Sequence, residues 1–299
     1  MKPSNYSITC SLTENSYTIA ILDDQKNVLL SEKYSAQTVD TQAMKSALAT
    51  LVDQWQIIGH ACQLILLPGQ YQLILMDALD LPEDEMAKAL RWSLKGLSDY
   101  NLDDVAIDVF SLPSQAESSQ KKVYIALSPL SLLTSKRLFL ESVCLEVTAM
   151  SIADMTLKNL WPLLHIESTA EPAPMIIISN GSGSDNTTYK LFILYNHLFY
   201  LIRELTATVQ LDETAQSNEM MHEIERSIDY CTNELEITRP RQLLITPGFH
   251  AINPLLETIK DTLNLDVTLI DLNHYVNMKP PLNIEQQIHI FYNILGAIT

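Results

Sequence analysis

Gln63-Leu64-Ile65-Leu66-Leu67-Pro68-Gly69 and Gln242-Leu243-Leu244-Ile245-Thr246-Pro247-Gly248 read alike. Each is a short apolar run, the pattern of a strand buried on both faces, closed by a Pro-Gly pair that cannot extend it. Upstream of the first, residues 6–11 and 17–22 predict a hairpin around the turn 12–16. A third strand, 28–33, follows the Asp/Asn-rich turn 23–27. A helix then starts at Asp40 or Thr41 and carries Met44, Leu48, Leu51, Val52 and Trp55 at helical spacing. Upstream of the second, strands 175–179, 189–195 and 198–204 flank a small-residue turn, 180–186. A helix over about 219–235 follows, with Met221, Ile224, Ile228, Cys231 and Leu235 on one face. The same order of elements twice predicts an internal duplication. The alternative is that two unrelated buried strands end in the same common turn signal.

Between the repeats, residues 71–78 read as a strand. Pro82 opens a helix with Glu83, Asp84 and Glu85 in its first turn, where acids complement the helix dipole. Its apolar stripe is Met86, Leu90, Leu94 and Leu97, and Trp92 projects off that stripe, as rim packing or as a contact surface. Strands 105–110 and 122–127 follow, joined by the polar loop 113–120. Helix 129–140, strand 145–149 and helix 152–163 complete the first half, and 167–174, with two prolines, reads as the hinge. In the second half come helix 254–263 and strand 266–270. Pro280-Pro281 breaks the chain before a last helix, 284–294, with Ile284, Ile288, Phe291 and Leu295 at helical spacing. The expected division is 1–69 with 128–172 as a first half, 70–127 as an inserted α+β subdomain, 173–282 as a second half, and 283–299 as a C-terminal helix.

Composition narrows the function classes. With 36 acidic and 19 basic residues among 299, the formal charge is −17, which repels phosphate backbones and argues against a nucleic-acid partner. Cys10, Cys62, Cys144 and Cys231 have neither zinc-ligand nor CxxC spacing, so free thiols in a reducing compartment are expected. The apolar stretches 62–81 and 191–202 are interrupted or too short to span a bilayer, and the N-terminus has no signal-peptide pattern. The expectation is a soluble chain that reaches a membrane only through a partner. No GxSxG elbow exists, and the seven histidines never pair at i,i+3 or i,i+4, which disfavours a serine hydrolase and a helix-borne metal site.

Two related βββαβαβα halves with a small domain inserted in the first resemble the actin-like superfamily, a duplicated ribonuclease H-like α/β fold. The stretch Leu79-Asp80-Leu81-Pro82-Glu83-Asp84-Glu85-Met86-Ala87-Lys88-Ala89-Leu90-Arg91-Trp92, then Asp103-Asp104-Val105-Ala106-Ile107-Asp108-Val109-Phe110, and Glu225-Arg226-Ser227-Ile228-Asp229-Tyr230, resemble the MSHA-type pilus biogenesis (MshI) family. That family is related to PilM of type IV pili and to the cytoplasmic domain of GspL in type II secretion. The resemblance implies a cytoplasmic, membrane-peripheral protein of a pilus assembly platform. Its partners would be the cytoplasmic tail of a bitopic, PilN-like inner-membrane protein and the assembly motor ATPase. A nucleotide-dependent switch and the soluble part of a longer GspL-like protein are the alternatives.

The resemblance also implies a nucleotide cleft between two hairpin turns, each with an Asp two residues before a Gly. Here the first turn, Cys10-Ser11-Leu12-Thr13-Glu14-Asn15, has neither. The second keeps Gly181 but has Ser179 where Asp is expected and a neutral Asn180, and hard cations prefer carboxylate oxygens. Pro247-Gly248 stands where the adenosine-side loop is usually Gly-Gly. The first turn also offers no basic group nearby in sequence. The expected cleft is therefore a degenerate one formed by Ser11, Thr13, Asn180, Gly181 and Gly248, with no catalysis, no metal and no required cofactor. For the partner tail, the resemblance points to the groove between the first half and the insertion, with Tyr71, Trp92, Leu97 and Tyr100 as candidate walls.

Overall fold

The computed structural model describes residues 6–113, 121–165, 173–180, 188–206, 213–248 and 259–298. The first half opens with β1 (Ser7–Leu12), β2 (Ser16–Leu22), β3 (Asn27–Ser35), α1 (Thr41–Trp55) and β4 (Ala61–Leu66). Asp40 caps α1, its carboxylate accepting from the Ala43 N–H at 2.9 Å. The insertion contributes β5 (Gln72–Asp77), α2 (Glu83–Leu90), a 3-10 turn over Arg91–Leu94, β6 (Val105–Ser111) and β7 (Lys122–Pro129). α3 (Leu130–Glu141), β8 (Glu146–Ile152), α4 (Ala153–Thr156) and α5 (Leu160–His165) follow. The second half has β9 (Met175–Asn180), β10 (Thr188–Tyr195), β11 (Leu198–Thr206), α6 (Glu213–Asn233), β12 (Gln242–Ile245) and β13 (Asp266–Leu269), then β14 (Asn277–Met278) and α7 (Ile284–Ala297). Most of the expected hinge 167–174, most of the expected turn 180–186 and the first half of the expected helix 254–263 lie outside the described residues.

Two sheets have the same internal order. One runs β14-β3-β2-β1-β4-β8 and the other β11-β10-β9-β12-β13. In both, the first strand pairs antiparallel with the second and parallel with the strand that ends in Pro-Gly. Gly69 and Gly248 both follow their strands with positive φ, 88° and 98°, a conformation that glycine adopts without strain. The third sheet, β5-β7-β6, belongs to the insertion.

β2 is buried along its whole length because both faces are covered. Tyr17, Ile19 and Ile21 pack with α1 residues Met44, Leu48, Leu51 and Val52. Ala20 and Leu22 face the opposite way, into a core shared with Ile177, Phe192 and Leu194 of the second sheet and with Ile290, Phe291, Ile294 and Leu295 of α7. α7 is thus a wedge between the two sheets. Its fit is tight: a Cβ on Gly296 would stand 2.9 Å from Ile65 Cδ1. The single stripe expected for this helix is too narrow for that position. Ile284, expected inside, is exposed, while Ile290 and Ile294 are buried.

Inside the insertion, Met86, Leu90 and Leu94 pack on Val105, Val109, Val123, Ile125 and Leu127 as their spacing predicts. Leu97 does not follow them and is 53% exposed. The helix tightens to a 3-10 turn at Arg91, and Gly96, with φ 85°, redirects the chain before Leu97 can join the stripe. No helix among the described residues is long and apolar enough to cross a membrane.

Candidate functional site

The β1–β2 turn closes on itself. The Thr13 N–H donates to the Ser16 carbonyl at 2.9 Å, and the Thr13 and Ser16 hydroxyls pair at 2.6 Å. Ser11, just before the turn, is buried, and its hydroxyl donates to Asn293 Oδ1 of α7 at 3.0 Å. At the matching place in the second sheet, the Tyr292 hydroxyl reaches Ser179 Oγ at 3.4 Å. Neighbouring polar residues of α7 therefore meet the ends of β1 and β9. Asn180 Nδ2 donates to the Gly248 carbonyl at 3.4 Å, and a Cβ on Gly248 would stand 3.1 Å from that nitrogen and 3.3 Å from Ile288. The structure thus brings Asn180 and Gly248 together. Thr13 sits exposed in its own turn, and Gly181 lies outside the described residues.

Among the described residues, this arrangement does not fit a magnesium–nucleoside triphosphate. Ser11 is committed to Asn293, the open face of Gly248 is filled by Asn180 and Ile288, and Glu14 places an acid at the tip of the first turn.

A cation does stand at that turn, against the sequence expectation. Lys136 of α3, buried to 6% exposure, donates its Nζ to the Leu12 carbonyl, which also accepts from Gln70 Nε2 at 2.8 Å. The signal was a lysine in the apolar series Leu133, Lys136, Leu140; its partner, 124 residues away, was not readable. Burial lowers the Lys136 pKa to about 8 from 10.5. Below pH 8 both folded and unfolded chains hold the proton, and stability is flat. Between about 8 and 10.5 the unfolded chain holds it and the folded chain does not, so stability rises with pH. Relative to Lys136→Met, wild type should gain about 2 kcal/mol between pH 7.5 and 9.5 in urea denaturation. Buried tyrosines and cysteines pull the other way in alkali but cancel in this difference. A flat difference would show that Lys136 is solvated.

Across the halves, Lys190 of β10 meets Asp154 of α4 at 2.6 Å, with side chains 9% and 0% exposed. The Lys190 ammonium lies 5.1 Å from the centroid of the Tyr71 ring, and the Tyr71 hydroxyl accepts from the Asp154 N–H at 3.4 Å. Burial, then the Asp154 charge, raise the Tyr71 pKa. The insertion is tied to the second half by Tyr124, whose hydroxyl accepts from the Ile202 N–H at 3.0 Å and donates to the Ile202 carbonyl.

Two cavities flank this centre. One, of about 380 Å³, is lined by Tyr71, Gln72, Asp99, Tyr100, Lys190 and Glu204. The other, of about 250 Å³, is the groove between the first half and the insertion. Ala106, Ile107 and Asp108 of β6 form one side and Met150, Ser151 and Ile152 of β8 the other, over a floor that includes Leu66, Tyr71, Leu133 and Met155. Among the described residues, both β6 and β8 are edge strands of their sheets. Of the four candidate walls, Tyr71 lies under both cavities and Tyr100 lines the polar one. Trp92, 83% exposed, and Leu97 line neither. The groove residues on β6 and β8 escaped the sequence reading because a groove between edges of two sheets leaves no periodic mark.

No family model matches the chain, and no curated protein matches it in sequence. Among solved structures, the chain is similar to one in a PilM-PilN type IV pilus biogenesis complex, with TM-score 0.67 at 15% identity over 99% of this chain and 98% of that one. A Bacteroides thetaiotaomicron protein of actin-like ATPase fold and unknown function aligns with TM-score 0.52, at 12% identity over 92% and 94% of the two chains. The cytoplasmic domain of EpsL, an inner membrane component of the Vibrio cholerae type II secretion system, aligns with TM-score 0.50, at 10% identity over 97% and 93%. With the repeated sheet order, these likenesses establish the actin-like fold.

Proposed function

We propose that this chain is a non-catalytic scaffold of a type IV, MSHA-like pilus assembly platform. In this reading it holds the cytoplasmic tail of a PilN-like membrane-spanning partner, sits at the inner membrane through that partner, and connects it to the motor ATPase. The observation that carries the reading is the groove with a strand on each side whose outer edge pairs with no other strand among the described residues. An extended peptide laid there bonds its main chain to β6 or β8 and seats alternate side chains against Ile107, Leu133, Met150 and Met155. Asp108 on the wall and the net charge of −17 favour a tail with Lys or Arg, as cytoplasmic flanks of membrane spans have. The similarity to a PilM-PilN complex and to a secretion-system cytoplasmic domain supports the same class of role. Absence of catalysis rests on the committed Ser11 hydroxyl and the filled face of Gly248.

The test is calorimetric titration with a synthetic peptide copying the cytoplasmic tail of the bitopic protein encoded beside this one. Wild type should bind at roughly micromolar Kd, about −8 kcal/mol, and more weakly in high salt. Met150→Arg, at a partly exposed position on β8, should weaken binding tenfold or more, and Trp92→Ala should leave it unchanged. Loss in Trp92→Ala alone would move the site to the outer face of the insertion. No binding by wild type would overturn the scaffold role.

A further inference from the structure

We infer that the Asp154–Lys190 pair is a latch fixing the orientation of the two halves. The pair joins α4, which follows the first sheet, to β10 of the second, and it is the sole ion pair between the halves among the described residues. It lies beside the hairpin ends: Tyr71 meets the Lys190 ammonium and accepts from the Asp154 N–H, and Tyr292, bonded to Ser179, feels the Asp154 charge.

The energetics give the pair a registering role rather than a strong holding one. Bringing two charges out of water costs about what their attraction returns, so the closed pair is close to neutral overall. A slipped arrangement, with the halves in contact and the charges separated, leaves both buried and uncompensated. Asp154 sharpens this penalty: its Oδ1 has no hydrogen-bond partner, and its Oδ2 accepts from Lys190. Intermediate registers are penalised, and the closed one is selected. This inference is independent of what occupies the peptide groove.

Cys144 is exposed while Cys10, Cys62 and Cys231 are buried, so a spin label on Cys144 and a second on Glu234→Cys, beyond α6, report the distance between the halves. Pulsed electron paramagnetic resonance on the full chain should give one narrow distance distribution, unchanged by millimolar Mg-ATP. With Lys190→Met the distribution should become at least twice as wide while circular dichroism stays native. If Lys190→Met fails to fold, Asp154→Leu/Lys190→Met removes both charges and keeps an apolar interface, and the same broadening is expected. A distribution as narrow as wild type in either folded variant overturns the latch. So does a shift of the wild-type distance on adding Mg-ATP, which would make nucleotide the element that sets the orientation.

Discussion

Leu94→Ala should cost about 2–5 kcal/mol of stability, while Trp92→Ala, two residues earlier, should change it by no more than about 0.5 kcal/mol. The contrast follows from the short 3-10 turn after α2. Arg91 donates to the carbonyls of Leu102 and Val105, anchoring the turn to the start of β6. Leu94 then points into the core of the insertion at 0% exposure, and Trp92 points to water at 83%. A leucine truncated in a packed core loses its transfer free energy and leaves a cavity; an exposed indole leaves neither. Urea denaturation followed by circular dichroism decides it. Substantial destabilisation by Trp92→Ala with a harmless Leu94→Ala would reverse the two faces of the segment.

Phe291→Ala should cost about 3–5 kcal/mol and should be felt in both halves. Phe291 is 1% exposed and shares one core with Leu22 of the first sheet and Phe192 of the second. Truncation hollows the only region where the two sheets and α7 meet among the described clusters. Calorimetry should show a lower, broader transition, because the coupling between halves runs through the damaged core. A loss below about 1 kcal/mol would mean that α7 is held from one side only.

The repeated architecture was legible because it rests on local signals. Strands that stop at Pro-Gly, a hairpin before each, and Asp40 ahead of the α1 stripe need only a few consecutive residues to be read. α7 was only half legible: a helix wedged between two sheets buries Ile290 and Ile294 as well as Phe291 and Leu295, and a one-stripe reading assigns Ile284 inward. Leu97 was misplaced because the period was extended through a 3-10 turn and a glycine. The polar centre was the least legible part. Ser11 meets Asn293 at a separation of 282 residues, Lys136 meets Leu12 at 124, and Asp154 meets Lys190 at 36. None of these partners is close enough in sequence to be read from local pattern. A buried polar group needs a partner, and the sequence does not say which.

The packing of β14 and α7 on the first sheet sets an order of events in synthesis. β14 lies parallel to β3, pairing Asn277 with Asn27, and α7 covers the face of the first sheet that carries Ala20 and Leu22. On a ribosome, β1 to β4 emerge some two hundred residues before that cover. At 5–20 residues per second this is a wait of roughly 10–40 s. Throughout it the first-made sheet presents an apolar face and an open β3 edge, a template for wrong pairing. β1 to β4 are therefore made well before α7 and covered only after it.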